Sequence, residues 1–284
     1  MRVLVFGQSG QVARELAALA SGDLMVLSLG RAKADLEDPG ACVDHIASTD
    51  ADIVINAAAY TAVDAAEEHE AIATRINGKT PGAMAEAAAA RGLPFLHIST
   101  DYVFDGTGET PFKPADPTAP LSAYGRSKRA GEIAIAAAGG VHAILRTSWV
   151  FSAHGSNFVK TMLRLSESRD SLNVVDDQIG GPTPADDIAR TLIRMARALK
   201  DGQGGGIYHY AGAPVASWAD FARETFSQAG RRTAVQGIPS SEYPTLAARP
   251  LNSRLDCATL KTDFGITQPD WKAGLTRAIE AMSK

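Results

Sequence analysis

Cysteine is scarce in this chain of 284 residues: Cys42 and Cys257 are the two present. They form no spaced motif, so neither a disulfide framework nor a thiolate metal knuckle is expected, and both thiols should stay reduced. Long apolar runs are absent as well. No stretch approaches the roughly 20 apolar residues of a membrane span. Val3–Phe6 is too short for a secretory leader and runs straight into Gly7, so the expected location is cytoplasmic with no membrane partner. Charge of one sign is also lacking: the net charge is -4, which argues against a nucleic-acid partner and leaves any anionic ligand to be held by local groups. The six histidines (His45, His69, His97, His142, His154 and His209) show no metal-ligand spacing, and no metal site is expected from them. His97 reads as an ordinary strand position.

What is present is alternation. Hydrophobic residues make up 45% and charged residues 21%, as in a packed globular chain. Val3–Phe6, Leu24–Leu29, Ile53–Ile55, Pro94–Ile98 and His142–Leu145 read as buried parallel strands. Helical patterns lie between them at about Val12–Ala20, Ala41–Ser48, Glu68–Arg91 and Tyr124–Ala138. This predicts an α/β fold, a Rossmann-type doubly wound parallel sheet with a smaller C-terminal substrate-binding lobe. The Ala-rich tract Ala83–Ala90 needs no explanation beyond helix propensity. The expected division is a dinucleotide-binding domain over 1–150 and a mainly sugar-nucleotide-binding lobe over 151–284. Segments at about 172–210, including strands at Leu172–Val175 and Gly206–Tyr210 around a helix at Asp186–Leu199, are expected to return to the first domain.

Gly7-Gln8-Ser9-Gly10-Gln11-Val12-Ala13 follows the first strand and opens the first helix. In that place glycines let the backbone approach a pyrophosphate, whose charge then meets the helix N-terminus. A tight strand–helix turn without ligand is the plain alternative. An acid about 20 positions further on would hold a ribose 2′-hydroxyl. The second strand ends instead in Leu29-Gly30-Arg31, and Arg31 suits a 2′-phosphate, so NADPH is expected, with NADH use left open. A solvated loop arginine is the competing reading.

In Tyr124-Gly125-Arg126-Ser127-Lys128 the spacing of four sets the phenol and the ammonium on one helix face. A free phenol has a pKa of about 10, and a neighbouring cation can lower it by about 1–3 units. Taken alone, such a pair is most simply an exposed helix pair. The context changes that. The strand at Pro94–Ile98 runs into Ser99-Thr100-Asp101, so Thr100 stands at a strand end where its hydroxyl can orient a carbonyl oxygen. Phenol acid, cationic tuner and orienting hydroxyl are the protein's share of a ketone reductase.

At this point the residues resemble the dTDP-4-dehydrorhamnose reductase family of the extended short-chain dehydrogenase/reductases. The resemblance rests on Gly7–Ala13, Asn56–Asp64, Ser99–Phe104, Tyr124–Lys128, Arg146–Val150, Asn157–Leu163, Asp177-Gln178 with Gly181–Thr183, and Arg249–Leu255, in the family's order along nearly the whole chain. It implies NADPH-dependent reduction of a nucleotide-sugar C4 ketone, in dTDP-rhamnose biosynthesis, with Tyr124 as proton donor, Lys128 as tuner and ribose ligand, and Thr100 as orienting hydroxyl. It places Gly7, Ser9, Gly10, Gln11, Val12, Arg31, Asp35, Leu36, Ala59, Tyr60 and Thr61 around the cofactor. It places Asp101, Trp149, Asn157, Arg249, Asn252 and Arg254 with Thr100 around the sugar nucleotide. Core packing is the competing role for Trp149, and anchoring a turn in the small lobe the competing role for Arg249, Asn252 and Arg254. Some family members hold Mg2+ at a dimer contact, which leaves a homodimer open. Glu15 and Asp186 stand at matching positions and Glu280 near a third, but solvated helix carboxylates are the preferred reading.

Two other functions fit the same scaffold. A 4,6-dehydratase would carry a second acid after the aspartate, where this chain has Tyr102; an epimerase would show no net NADPH consumption. A non-catalytic regulatory subunit is the third possibility, against which Thr100, Tyr124 and Lys128 all stand intact.

Overall fold

The structure, a computed structural model, describes residues 1–283. Six strands, β1 (Arg2–Phe6), β2 (Met25–Leu29), β3 (Ile53–Asn56), β4 (Phe95–Thr100), β5 (His142–Thr147) and β6 (Gly206–His209), pair in parallel in the order β6-β5-β4-β3-β1-β2. The apolar runs are continuous because helices cover both faces. Val3, Val5, Ile53, Ile55, Leu96 and Leu145 pack on one side with Leu16 and with Ile188, Leu192 and Met195 of the Ala185–Lys200 helix. Leu4, Phe6, Val54, Phe95 and Ile144 pack on the other with Ile46, Met84 and Ala88. Strand order reverses between β1 and β3, so the crevice beyond their carboxyl ends is where a doubly wound sheet binds its ligand. The Rossmann-like fold is thus present.

The sequence pattern over Glu68–Arg91 suggests one helix, whereas the chain forms helices Val63–Glu68, Glu70–Thr74 and Thr80–Ala90, the last two joined by a π-turn at Arg75–Lys79. The cause is Asn77. Its amide bonds the Tyr60 N–H at 2.8 Å, the Tyr60 carbonyl at 2.9 Å and the Ser127 hydroxyl at 2.9 Å. A Cβ at Gly131 would stand 2.1 Å from the Asn77 carbonyl oxygen, so a glycine there lets the Ala123–Ala137 helix seat against the widened turn.

Of the segment 172–210, the helix and β6 join the main sheet's core. Ser171–Val175 does not: it pairs with Ala234–Ile238 in a separate two-stranded sheet. Around it stand the Trp218–Gln228 helix, opened by a Ser217/Asp220 capping box, and the Trp271–Met282 helix, capped by Asp270. Phe151, Phe221, Trp271 and Leu275 form the apolar centre of this lobe. No helix among the described residues is long and apolar enough to cross a membrane.

Candidate active site

A cleft of about 690 Å3 opens at the carboxyl ends of β1, β3, β4 and β5. Gly7 begins it with φ +119°, and a Cβ there would lie 3.3 Å from the Ala13 Cβ and from the Ala57 carbonyl carbon. Glycine is therefore required both by conformation and by the close strand–helix approach. Gly10 caps the Gln11–Ala18 helix without a side-chain bond, leaving the first-turn N–H groups free to meet a phosphate. Ser9, Gln11, Val12, Asp35, Leu36, Ala59 and Thr61 also line the cleft, as does Arg31. The Arg31 guanidinium is bound by Asp35 at 2.9 Å and by Glu37. Tyr60 is not on the wall; both of its backbone groups are held by Asn77.

Deeper in, Thr100 ends β4, and its hydroxyl donates to Asp101 Oδ1 at 3.1 Å while accepting from the Tyr102 N–H. Tyr124 and Lys128 come from the Ala123–Ala137 helix, whose N-cap Ser122 accepts from Gly125 N–H. Burial pushes the Tyr124 phenol above its ordinary range, with the Thr100 hydroxyl pulling the other way. The expected lowering of this phenol by its lysine is not seen. Lys128 is turned onto the Ile98 carbonyl (2.7 Å) and His97 Nε2 (2.9 Å), and its own pKa is pulled down to about 7 by burial, Glu132 opposing. Behind it Glu132 is held by Arg146 (2.8 Å) and the Ser99 hydroxyl (2.7 Å) in a fully buried ion pair.

Trp149 has φ +49°, an uncommon conformation for a bulky residue, and its indole stacks on Trp218 at 3.6 Å between ring centroids. Both line the cleft, with Thr147, Ser148 and Ser156. Trp218 had no sequence signal, being 69 positions from its partner and unremarkable at the start of a helix.

Four residues expected at the sugar nucleotide do not line the cleft. Asn157 caps the Phe158–Leu165 helix through Oδ1 and spends its Nδ2 on Gln11, Ser152 and His154. Asn252 donates to the Thr107 and Thr110 carbonyls and accepts from Arg254 Nη1. Arg249 binds Asp64 at 2.6 Å, though its Nη1 is buried without a partner. These contacts are those of side chains that anchor turns, and the unpartnered Arg249 Nη1 is a donor they leave over.

Magnesium does not fit the residues that resemblance suggested. Asp186 is already neutralised by Arg190 and Arg277, which also bonds Asp187, while Glu15 faces His154 at 3.5 Å. Among the described residues no group of three or more His, Cys, Asp or Glu is placed to hold a metal.

Glycine turn, strand-end threonine and helix-borne Tyr124/Lys128 in one crevice define a nicotinamide-dependent oxidoreductase of the extended short-chain type. Across residues 1–284 the chain matches the family model described as the RmlD substrate binding domain. It belongs to the dTDP-4-dehydrorhamnose reductase family. A relative of that name from Sinorhizobium fredii is 46% identical over 99% of this chain and 98% of its own. A solved dTDP-4-dehydrorhamnose reductase from Clostridium acetobutylicum superimposes with TM-score 0.94 at 35% identity, covering 100% of both chains. One from Bacillus anthracis, in complex with NADP, gives 0.92 at 32% identity over 99% of both.

Proposed function

We propose that this protein reduces the C4 ketone of dTDP-4-dehydro-L-rhamnose to dTDP-L-rhamnose with NADPH. The observation that carries the reading is the meeting of Thr100, Asp101, Tyr124 and Lys128 in the same cleft as the glycine turn. The names of the relatives support the substrate, and the NADP in the Bacillus anthracis protein supports the cofactor.

Gly7, Ser9, Gly10, Gln11 and Val12 would hold the pyrophosphate, Arg31 a 2′-phosphate, and Asp35, Leu36, Ala59 and Thr61 the rest of the dinucleotide. When bound, the dinucleotide supplies the hydride. Tyr124 gives its proton to the carbonyl oxygen. Like any phenol it is protonated at neutral pH, and because burial raises its pKa further, positive charge beside it is needed for the proton to leave. The Thr100 hydroxyl orients the same oxygen. Lys128, one helical turn away, supplies positive charge as the phenolate forms and binds the ribose hydroxyls. Trp149 and Trp218 present apolar faces on which a sugar or base can stack.

The test is NADPH oxidation with dTDP-4-dehydro-L-rhamnose, wild type beside Tyr124→Phe. Turnover that falls by about 10²–10⁴-fold in the variant, with NADPH affinity retained, supports substrate and acid together. No turnover in folded, NADPH-binding wild type rejects this substrate.

A further inference from the structure

Lys128 is bound in a way that an ammonium does not explain. Its Nζ lies 2.9 Å from His97 Nε2, in a place where Lys128 is 2% exposed and His97 fully buried. The other ring nitrogen, His97 Nδ1, lies 3.1 Å from Asn56 Nδ2. The facing of that amide decides where the ring proton sits. Asn56 Oδ1 accepts from the Ala58 N–H at 3.1 Å. A backbone N–H can only donate, so the amide oxygen is fixed on that side and its NH2 faces the ring. His97 Nδ1 is therefore an acceptor, and a neutral imidazole accepting at Nδ1 carries its hydrogen on Nε2. That hydrogen points at Lys128. An ammonium has three donors and no lone pair to receive it; a free amine has one.

We propose that His97, oriented by Asn56, holds Lys128 as a neutral amine through an Nε2–H···Nζ hydrogen bond, and so acts as a positioning residue for the lysine. The proposal deepens the reductase reading and rests on it for the lysine's part in the reaction, but not for the hydrogen-bond arrangement. A charged imidazole offers no escape. Burial holds the His97 pKa well below its ordinary value, and an imidazolium would set a second N–H against the Asn56 NH2.

The surroundings agree. From its own helix Lys128 meets the charge of Glu132, a carboxylate already shared among Ser99, Arg129 and Arg146. From β4 it meets His97 and the Ile98 carbonyl, which accepts one amine hydrogen at 2.7 Å. From β3 comes the uncharged amide of Asn56, acting through the ring. Burial outweighs Glu132, so that the lysine sits near a pKa of about 7.

One consequence is a switch in the lysine's contacts. A proton gained from solvent turns the His97 contact into donor against donor, while the Ile98 carbonyl remains a good acceptor. Nζ then has to leave the ring, and the space open to it is the cleft that Lys128 lines. The neutral lysine rests on His97; the charged one faces the cleft, where the proposed reaction needs a cation.

Histidine-labelled, nucleotide-free protein decides the point by nitrogen NMR, with the His97 resonances identified by their loss in His97→Gln. The expected result at pH 8 is Nε2 protonated and Nδ1 bare. A proton on Nδ1 overturns the proposal. In Asn56→Asp a carboxylate faces Nδ1, so the ring proton should move there; a ring that keeps Nε2–H would also overturn it. Carbon NMR of labelled lysine then follows Lys128 in wild type: a midpoint below pH 8 is expected, and one near the ordinary value of about 10.4 sinks the idea. None of these readouts needs turnover, so failure of the sugar assay and failure of this arrangement are separate results.

Discussion

Asn157 Nδ2 donates to Gln11 Oε1 at 2.9 Å, tying the first residue of the cofactor-turn helix to a loop 146 positions away. The same oxygen accepts from the Ser152 hydroxyl at 2.9 Å, and Gln11 Nε2 donates to the Val150 carbonyl at 3.3 Å. The Gln11 side chain is thus held by Val150, Ser152 and Asn157 of one short segment. Asn157 has a second task, since its Oδ1 accepts from the Lys160 N–H as a helix N-cap. Two variants separate the tasks. Asn157→Ala should cost about 1 kcal/mol in stability, the usual worth of a cap, and weaken NADPH binding several-fold. Asn157→Asp retains a cap acceptor, so it should melt close to wild type yet share the weaker NADPH binding. Urea unfolding and a fluorescence titration measure both; unchanged NADPH affinity in both variants would show that the clamp does not serve the turn.

Arg31 is the residue expected to select the cofactor, and it is not idle. Its guanidinium is shared between Asp35 and Glu37 at the exposed rim of the cleft. A 2′-phosphate would compete with those carboxylates for the same donors and would also be repelled by them. Arg31→Ala should therefore lower the NADPH/NADH ratio of kcat/KM by about 10-fold or more, the scale of a lost charge-assisted hydrogen bond. Glu37→Gln should raise that ratio, because one competitor is gone. Initial rates with both nucleotides test the pair. A ratio that ignores Arg31→Ala would assign cofactor choice elsewhere.

Much of this site was legible before the structure because its parts are local. Parallel strands buried on both faces read as unbroken apolar runs, and Gly7–Ala13, Thr100 and Tyr124/Lys128 each lie at the end of a strand or on one turn of helix. What stayed hidden depends on partners distant in sequence. His97 looks like any strand residue until β3 and the Ala123–Ala137 helix bring Asn56 and Lys128 to its two nitrogens. The residues expected at the sugar nucleotide but lying outside the cleft wall have a related ambiguity. Arg249, Asn252 and Asn157 are polar side chains among irregular loops, and loop carbonyls and helix ends need donors and acceptors as much as a ligand does. Asn77, in the π-turn of an apparently continuous helix, likewise bonds backbone and side chain across the fold.

The Trp149–Trp218 stack makes a directional prediction. The two indoles lie 10° from parallel, and Trp218 is further fixed by its Nε1–H donating to Gln178 at 3.1 Å. One tryptophan comes from the loop after β5, the other from the second lobe, so the stack spans both walls of the cleft. Trp149→Ala should raise KM for the sugar nucleotide by about 10-fold, the order of a lost aromatic contact with its buried area. It should leave KM for NADPH nearly unchanged. An equal effect on both would mark the stack as packing that holds the lobes together.

Asp101 gives the protein a pH dependence that can be signed in advance. Its carboxyl is buried with Oδ2 unpartnered, and burial raises its pKa to about 6. In the unfolded chain the value is about 3.9. Between those limits the folded protein holds a proton that the unfolded chain has released, so this group's contribution is present in full below about pH 4 and is lost as pH rises through 6. Asp101→Asn removes the titration. Relative to wild type, the variant should gain stability between pH 4 and 7, on the order of 2–3 kcal/mol. Its absolute stability includes the separate cost of an amide in that pocket, so the change with pH is the quantity to read. Urea unfolding of both proteins at pH 4, 5, 6 and 7 provides it. A difference that stays flat across the series would mean that Asp101 ionises in the folded chain as it does in water.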